Sequence, residues 1–505
     1  MKQTIFVISD LHLGGEPASD KSPGFQMCSL VGRQRLAQFL DWALTLKSAE
    51  QDVHLIIAGD IVDFLAEKDS YKAFSAFTAD QKVAKEKFIN IVRNTPEVWD
   101  GLKKLVGQGC ALTMMLGNHD IELSLPDVRR ELLKTVGTGR VEFLCDNEAF
   151  TLGDLLIEHG NRYDGFNVVA YDSLRRLRSL LSRRDEHPPI FPAQPGSQLV
   201  ETVMNPLKEK FAFVDLLKPE TSAVLPILAA LDPAAWRSIG SAIYDAAHAA
   251  WHQSQYDADG QPTRSDFVAG TKLDTVVAQD TGSKTSATES TVGQATVQAQ
   301  GDGPAFPDNE HFALADEIVK EYRLPETTSI SGDGLIKDLL ARVRAAVDGL
   351  RTDLLYKALR AWARDDSKTF DIEEESSVYL KPATTLAGRG FRFIINGHTH
   401  LDKRKRISEQ ATYLNTGTWA DLIRIPRAIF DSDEDQGQNA LKQFLDDLRE
   451  NRLERLRRSV PTFARIEVEI EVEEDRVLAA DIHFFDGAGK TPSLTTQGLL
   501  DRLGS

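Results

Sequence analysis

The chain has 505 residues, 42% of them hydrophobic and 27% charged, with a formal net charge of −17. That length calls for two or three domains. That charge excludes binding of nucleic acid or anionic lipid through whole-molecule charge and leaves room only for a local basic patch. Three scattered cysteines, Cys28, Cys110 and Cys145, lack CxxC spacing. They form neither a disulfide framework nor a zinc–thiolate site and fit a reducing compartment. The opening MKQTIFVISDLHLGG has an apolar run too short for a signal peptide, and no stretch is apolar enough to span a bilayer. The expectation is a cytoplasmic protein.

Residues 4–9 (TIFVIS) read as a buried strand ending at Asp10, and 34–46 as a helix with apolar residues at 36, 39, 40, 43 and 44. Residues 52–60 (DVHLIIAGD) read as a second buried strand, and 80–107 as helical with a break near Pro96. Residues 110–120 hold a third strand and 150–160 a fourth, arranged as a hairpin. This βαβ rhythm predicts an α/β core with helices on the sheet faces. It breaks after about residue 165. The pattern at 168–184 is a basic amphipathic helix, and helical signals recur at 206–217, 222–251, 310–323 and 334–365. Residues 276–304 are rich in Thr, Ser, Gln, Gly and Ala and read as a flexible linker. Strand signals return at 391–396 and 411–414, then as alternating strands at 463–472 and 476–485, with a charged helix expected at 437–458. The organisation predicted is a first core segment, 1–165, a mostly helical inserted cap, 166–387, and a second core segment, 388–505.

Each chemistry-bearing strand ends in metal-type ligands. The ends read Asp10-Leu-His12, Gly59-Asp60-Ile-Val-Asp63, Gly117-Asn118-His119-Asp120, Glu158-His159-Gly160-Asn161 and Gly397-His398-Thr-His400. Ligand sites in α/β sheets gather at carboxyl ends of strands. His398 and His400, at i and i+2 of an extended segment, would point to one side. By itself this pair fits two solvated loop histidines equally well. Together, Asp10, His12, Asp60, Asn118, His159, His398 and His400 mix carboxylate, amide and imidazole, a set suited to manganese, iron or zinc. Seven ligands exceed the needs of one ion and suit two with a bridging carboxylate, the arrangement that clamps an in-line phosphoryl displacement.

DLH, GDIVD, GNHD, a lone His and GHTH, in this order, resemble the calcineurin-like metallophosphoesterase family over about 1–165 and 388–420. The resemblance implies a four-layer α/β/β/α sandwich and a hydrolase of phosphate monoesters, diesters or pyrophosphate acting through metal-activated hydroxide. It implies Asp10, His12, Asp60 and His400 on one ion. Asp60, Asn118, His159 and His398 would hold the other, with manganese expected first. His119 would stabilise the transition state or protonate the leaving oxygen, oriented by Asp120, while Asp63 would brace the GD loop. Arg162 and Asn161 are expected to contact a small phosphorylated substrate, with Asp164 close by.

His54 and His483 read as structural, and His187, His248, His252 and His311 as surface histidines, although the i, i+4 pair His248/His252 has zinc-compatible spacing. The run SLRRLRSLLSRR (173–184) is a solvated helix face, an anion-recognition element or a peripheral membrane contact. The nearest branch by motif is the bacterial UDP-2,3-diacylglucosamine hydrolases, similar in DLHL and GHTH. That branch carries arginine where this chain has His119, and its cap is much shorter. The superfamily's DNA nucleases share DLHLG and GNHD, but the acidic balance opposes a DNA track. Cyclic-nucleotide phosphodiesterases use GNHD with a late histidine pair. A partner-binding module that docks through the helical insertion is the non-enzymatic alternative. Oligomeric state is not legible.

Overall fold

The computed structural model describes residues 2–19, 24–185, 187–218, 368–471 and 475–503, with scattered positions between 224 and 360. The 276–304 segment, the helix expected at 310–323, most of those expected at 222–251 and 334–365, and His248, His252 and His311 lie outside them.

Six strands build the first sheet. They are β1 (Lys2–Ile8), β2 (Gln51–Ala58), β3 (Ala111–Met115), β4 (Val141–Leu144), β13 (Thr462–Glu469) and β14 (Arg476–Phe484), in the order β14-β13-β1-β2-β3-β4. Neighbours from β1 to β4 pair in parallel, and β13 and β14 add antiparallel. The second sheet contains β5 (Phe150–Leu152), β6 (Leu155–Ile157), β8 (Phe393–Asn396), β9 (Asp402–Arg406) and β10 (Thr412–Thr416), ordered β5-β6-β8-β10-β9. A small third sheet joins β7 (Leu217–Lys218), β11 (Leu422–Arg424) and β12 (Arg457–Arg458). Segments from both ends of the chain thus contribute to both large sheets.

Alternation along the strands shows why two sheets stack. Ile5, Val7, Ile56 and Ala58 face inward and meet Leu155, Ile157, Ile395 and Leu414 of the second sheet. Phe6, Ile8, Leu55 and Ile57 face outward beneath helices α1 (Leu30–Thr45), α2 (Gln81–Asn94), α3 (Pro96–Gly107) and α4 (Pro126–Val136). On the far side, Leu156, Ile394 and Tyr413 pack against Tyr379, Ala383 and Leu386 of α6 (Ser377–Gly388). Helix α5 (Tyr171–Ser182) buries Leu174 and Leu177 in the first outer layer. The architecture is the expected four-layer α/β/β/α sandwich. Both faces of the central strands are covered, so their sequences run apolar without a polar face.

The break at Pro96 falls where expected. Thr95, at φ −135° and ψ 45°, lies outside the helical region that a following proline disfavours, and Pro96 occupies the first turn of α3. Other expectations need correction. The helix at 206–217 is only a turn, Asn205–Lys208, followed by compact loop and β7. Phe211–Val214 and Leu216–Leu217 are nearly all buried, so this run has no polar face for a surface helix to present. The charged helix runs Glu434–Arg449 (α7), capped by Asp433, and gives way to a 3₁₀ turn and β12. Its Leu441, Phe444 and Leu448 share a separate core with Val203, Leu207, Phe213, Leu355 and Leu359. Strand β9 (DKRKR) is too charged to signal a strand, and its place at the edge of the sheet tolerates that charge.

Candidate metal centre

The carboxyl ends of β1, β2, β3, β6, β8 and β10 meet at one seam between the two sheets. Tight turns there hold the side chains inward. Among the described residues, nine non-glycine positions have positive φ, and five of them are Asp10, His12, Asp60, His398 and His400. Left-handed backbone at such residues is costly and is kept where the surrounding structure enforces it. His398 and His400 therefore do not share one side of an extended strand. With φ of 73° and 59° they leave the end of β8 in a loop and reach different places. The glycines beside them are equally constrained. A Cβ on Gly117 would lie 2.0 Å from Asp60 Oδ1, and one on Gly397 would lie 2.5 Å from Asp10 Oδ2.

Two groups with converging ligand atoms result, Asp10/His12/His400 and Asp60/His159/His398. A third, His12/Asp63/His119, abuts the first. His12 Nε2 is 2.9 Å from His400 Nε2, and His400 Nε2 is 3.4 Å from Asp10 Oδ1. Asp60 stands between the two groups. Its Oδ2 is 3.7 Å from His12 Nε2 and 3.2 Å from His159 Nε2, while its Oδ1 accepts the His119 backbone N–H at 2.8 Å. The His159 Nδ1 atom lies 2.8 Å from the Ala58 carbonyl, so Nδ1 carries a hydrogen, and Nε2 becomes the lone-pair atom once its proton is given up to a cation. The Asn118 amide nitrogen donates to Asn167 Oδ1 at 3.3 Å, which leaves its oxygen for the cleft. His398 Nε2 is 3.0 Å from Asp164 Oδ2, a partner beyond the expected ligand set.

The polar atoms that find no hydrogen-bond partner test whether these residues fit cations. Asp10 Oδ1, His12 Nδ1, Asn118 Oδ1, His159 Nε2 and His400 Nδ1 are all buried and unpartnered. Buried polar atoms are otherwise satisfied in folded proteins. Asp10 and His159 belong to the two converging groups, which with the Asn118 amide mix carboxylate, amide and imidazole, the donor set a hard or borderline divalent cation needs. The residues fit.

The electrostatics agree. Burial alone would raise Asp10, but its His400 contact and the charge of His159 bring it down to about 2. Burial likewise opposes ionisation of Asp60 and Asp63, yet neighbouring histidines hold both well below the usual carboxylate range. His159 is pushed up to about 10 against its burial, chiefly by Asp60. His400 falls to about 4 through burial and the charge of Lys218.

His119 is the partly open member, with a fifth of its side chain exposed. Its Nδ1 lies 3.2 Å from Asp63 Oδ1, and Asp63 Oδ2 lies 3.6 Å from His12 Nδ1. Against burial, Asp63 and Asp60 raise His119 to about 9. The expected orienting role of Asp120 is thus corrected. Asp120 accepts from Ile61 N and Gly117 N, both at 2.7 Å, and so ties the GD loop to the GNHD loop. Its carboxylate is spent on backbone donors and does not meet His119. Burial and the charge of Asp60 push it up to about 8.

Asn161 and Arg162 make contacts of their own beside this loop. The Asn161 amide donates to the Asn167 carbonyl at 2.9 Å and holds the loop. Arg162 Nη1 lies 3.4 Å from Glu158 Oε2 in a hollow behind His159, and its buried Nε has no hydrogen-bond partner. His54 is structural, 2.8 Å from Thr113 Oγ1, and His483 Nδ1 meets the Thr491 carbonyl. His187 follows α5 at the exposed surface. A sixth strand end was not read from sequence. At the end of β10, Thr416 Oγ1 meets Ser9 Oγ at 2.7 Å, and just beyond it Thr418 Oγ1 donates to the Asp10 carbonyl at 2.7 Å. The polar run NTGT directly after an apolar strand was its signal. No helix among the described residues is long and apolar enough to cross a membrane.

A four-layer sandwich with Asp, His and Asn ligands gathered at its strand ends defines the class of metallophosphoesterases. Residues 3–210 match the model of the calcineurin-like phosphoesterase family. That match, with the candidate metal-binding groups, supports a phosphoric ester hydrolase. A solved Staphylococcus aureus structure, described as a proposed 5'-nucleotidase in complex with alpha-ketoglutarate, shares 11% identity with a TM-score of 0.29. The match covers 100% of this chain and 58% of that one, so this chain spans less than two thirds of that neighbour. A likeness at that score bears on neither fold nor substrate. No curated protein matches the sequence significantly.

Proposed function

We propose that the protein hydrolyses a phosphate monoester, diester or pyrophosphate with two divalent cations held at the strand ends. The observation that carries this reading is the position of Asp60 Oδ2, 3.7 Å from His12 Nε2 and 3.2 Å from His159 Nε2, as a bridge requires. Asp10, His12, Asp60 and His400 would hold one ion, and Asp60, Asn118, His159 and His398 the other. Manganese suits this set, with iron or zinc as alternatives. Bound there, the ions supply Lewis-acid polarisation of phosphoryl oxygens and water of lowered pKa.

The chain's own residues do the rest. Asp63 fixes the His119 ring through Nδ1 and favours its protonated form. His119 can then donate a hydrogen bond to a phosphoryl oxygen or a proton to the leaving oxygen. Asp120 keeps the loops carrying Asp60 and Asn118 in register. The region inserted between residues 165 and 388, which also supplies α5 and α6 to the outer layers of the sandwich, selects the substrate. Supporting this, its Lys208 and Lys218 are buried, and their charges act on His119 and His400, respectively. Lys208 also pairs with Asp215. We place the protein in the reducing cytoplasm, in keeping with three buried, unbridged cysteines.

The test is hydrolysis of bis-p-nitrophenyl phosphate and p-nitrophenyl phosphate by metal-stripped protein given Mn²⁺, Zn²⁺, Mg²⁺ or no metal. Turnover is expected only with metal and is expected to vanish in Asp60→Asn. Absence of both turnover and bound metal would sink the proposal.

A further inference from the structure

We propose a second anion site, separate from the metal centre, in the cleft between α4 and α5, taking a phosphate-bearing group. The cleft has a volume of about 520 Å³, within the range of small-molecule sites. Arg129 and Arg130 of α4 line one wall, and Arg175 and Arg178 of α5 the other. Asp146 is the single carboxylate of the lining. In a chain with a net charge of −17, four guanidinium groups facing one hollow make a local reversal of sign.

The helical period explains the wall. Leu174 and Leu177 of α5 are buried against the core, so the leucines between the arginines are spent on folding. Arg175, Arg178, Ser179 and Ser182 then share the adjoining face and line the cleft. For the same reason α5 does not offer Leu174 and Leu177 to a membrane, while Arg175 stays exposed beside the cleft.

Arg178 is fixed in advance. Its Nη1 lies 3.1 Å from the Cys145 carbonyl and 2.8 Å from Cys145 Sγ, and its Nη2 pairs with Asp146. Its side chain is only 13% exposed, and its buried Nε has no partner. Arg130 pairs with Asp127, and Arg175 with Asp172, within their own helices at i, i+3, and Arg175 Nε also lies 3.9 Å from Asp146 Oδ1. Such exposed pairs are weak and yield readily to a better acceptor. Arg129 has no acidic partner within salt-bridge distance among the described residues. Planar guanidinium groups grip phosphate oxygens in pairs, which a single lysine cannot do. The floor contributed by Pro126, Leu133 and Cys145 is apolar, so the ligand can carry a hydrocarbon or ring portion beside its charge.

The cleft is distinct from the metal centre, yet they share a wall. Cys145 and Asp146 line the cleft, while Leu144 and Asn147 line the hollow beside His159 and Arg162.

The test is calorimetric titration of the metal-free full chain with sodium tripolyphosphate, alongside flotation with phosphatidylcholine vesicles with and without phosphatidic acid. The variants are Arg129→Gln/Arg175→Gln and Asp60→Asn. Both arginines are exposed and outside every core, so the double variant is expected to melt with the wild type. Binding is expected in the wild type and in Asp60→Asn, and is expected to weaken at least tenfold in the arginine pair. If that dependence appears with tripolyphosphate, the ligand is a soluble phosphate compound. If it appears only with phosphatidic acid vesicles, the phosphate is a lipid headgroup. Absence of binding to both probes overturns the site, as does binding indifferent to the arginine pair. Binding lost in Asp60→Asn instead would put the anion at the metal centre and also overturn it. The two-metal reading stands or falls separately, on hydrolysis.

Discussion

Replacing Gly117 with alanine tests the geometry of the centre by adding a single carbon. The added Cβ would lie 2.0 Å from Asp60 Oδ1 and 2.6 Å from the Asp60 backbone nitrogen. An unstrained contact needs more than about 3 Å, so the two must separate by roughly 1 Å. No rotamer change relieves the contact with the backbone atom. A displacement of that size in a catalytic group costs about 100-fold in rate. Overpacking of this kind costs about 1–3 kcal/mol of stability, which a chain with several separate cores should survive. Gly117→Ala is therefore expected to retain its circular dichroism, lose at least one bound metal per chain and hydrolyse bis-p-nitrophenyl phosphate about 100-fold more slowly. The assay pairs elemental analysis of dialysed protein with initial rates in excess Mn²⁺. Wild-type rates with wild-type metal content would refute the placement of Asp60 against the GNHD turn.

Asp63→Asn should separate from Asp120→Asn in the pH–rate profile. Asp63 is the main charge raising His119 to about 9, so its loss should move the alkaline limb to lower pH, whereas Asp120→Asn should leave the limb in place. Identical limbs in both variants would contradict the His119–Asp63 pairing. His398→Ala should bind one metal per chain where the wild type binds two, because His400 serves the other group, and metal analysis decides this. His54 provides a probe of acid stability away from the centre. Burial, reinforced by Arg140, lowers it to about 4 from an ordinary value of 6.5. The folded protein thus binds fewer protons than the unfolded chain between those values. The stability from neutral His54 is present above pH 6.5 and is lost as pH falls towards 4. Between pH 7 and pH 5 the linked loss is about 2 kcal/mol. Urea unfolding of His54→Gln should show that much less acid sensitivity than the wild type.

The sequence by itself determined the ligand types, their order and the strands that carry them. Each motif is local: an apolar run of four to eight residues, then Asp, Asn or His beside a glycine. Such punctuation survives in one dimension because the strand period and the need for tight turns are properties of neighbouring residues. The break at Pro96 and the alternation in β13 and β14 were legible for the same reason. What only the tertiary structure decided was who meets whom. Asp63 and Asp120 are both acidic and both near a ligand motif, and nothing in their spacing says that Asp63 faces His119 while Asp120 binds the Gly117 and Ile61 amides. Likewise, His398 and His400 diverge because their backbone is left-handed, which the letters HTH do not disclose. The support from Thr416 and Thr418, the charged edge strand β9 and the arginine cleft all depend on elements far apart in sequence. Their pairing is set by the stacking of two sheets, a many-residue packing outcome that no short window encodes.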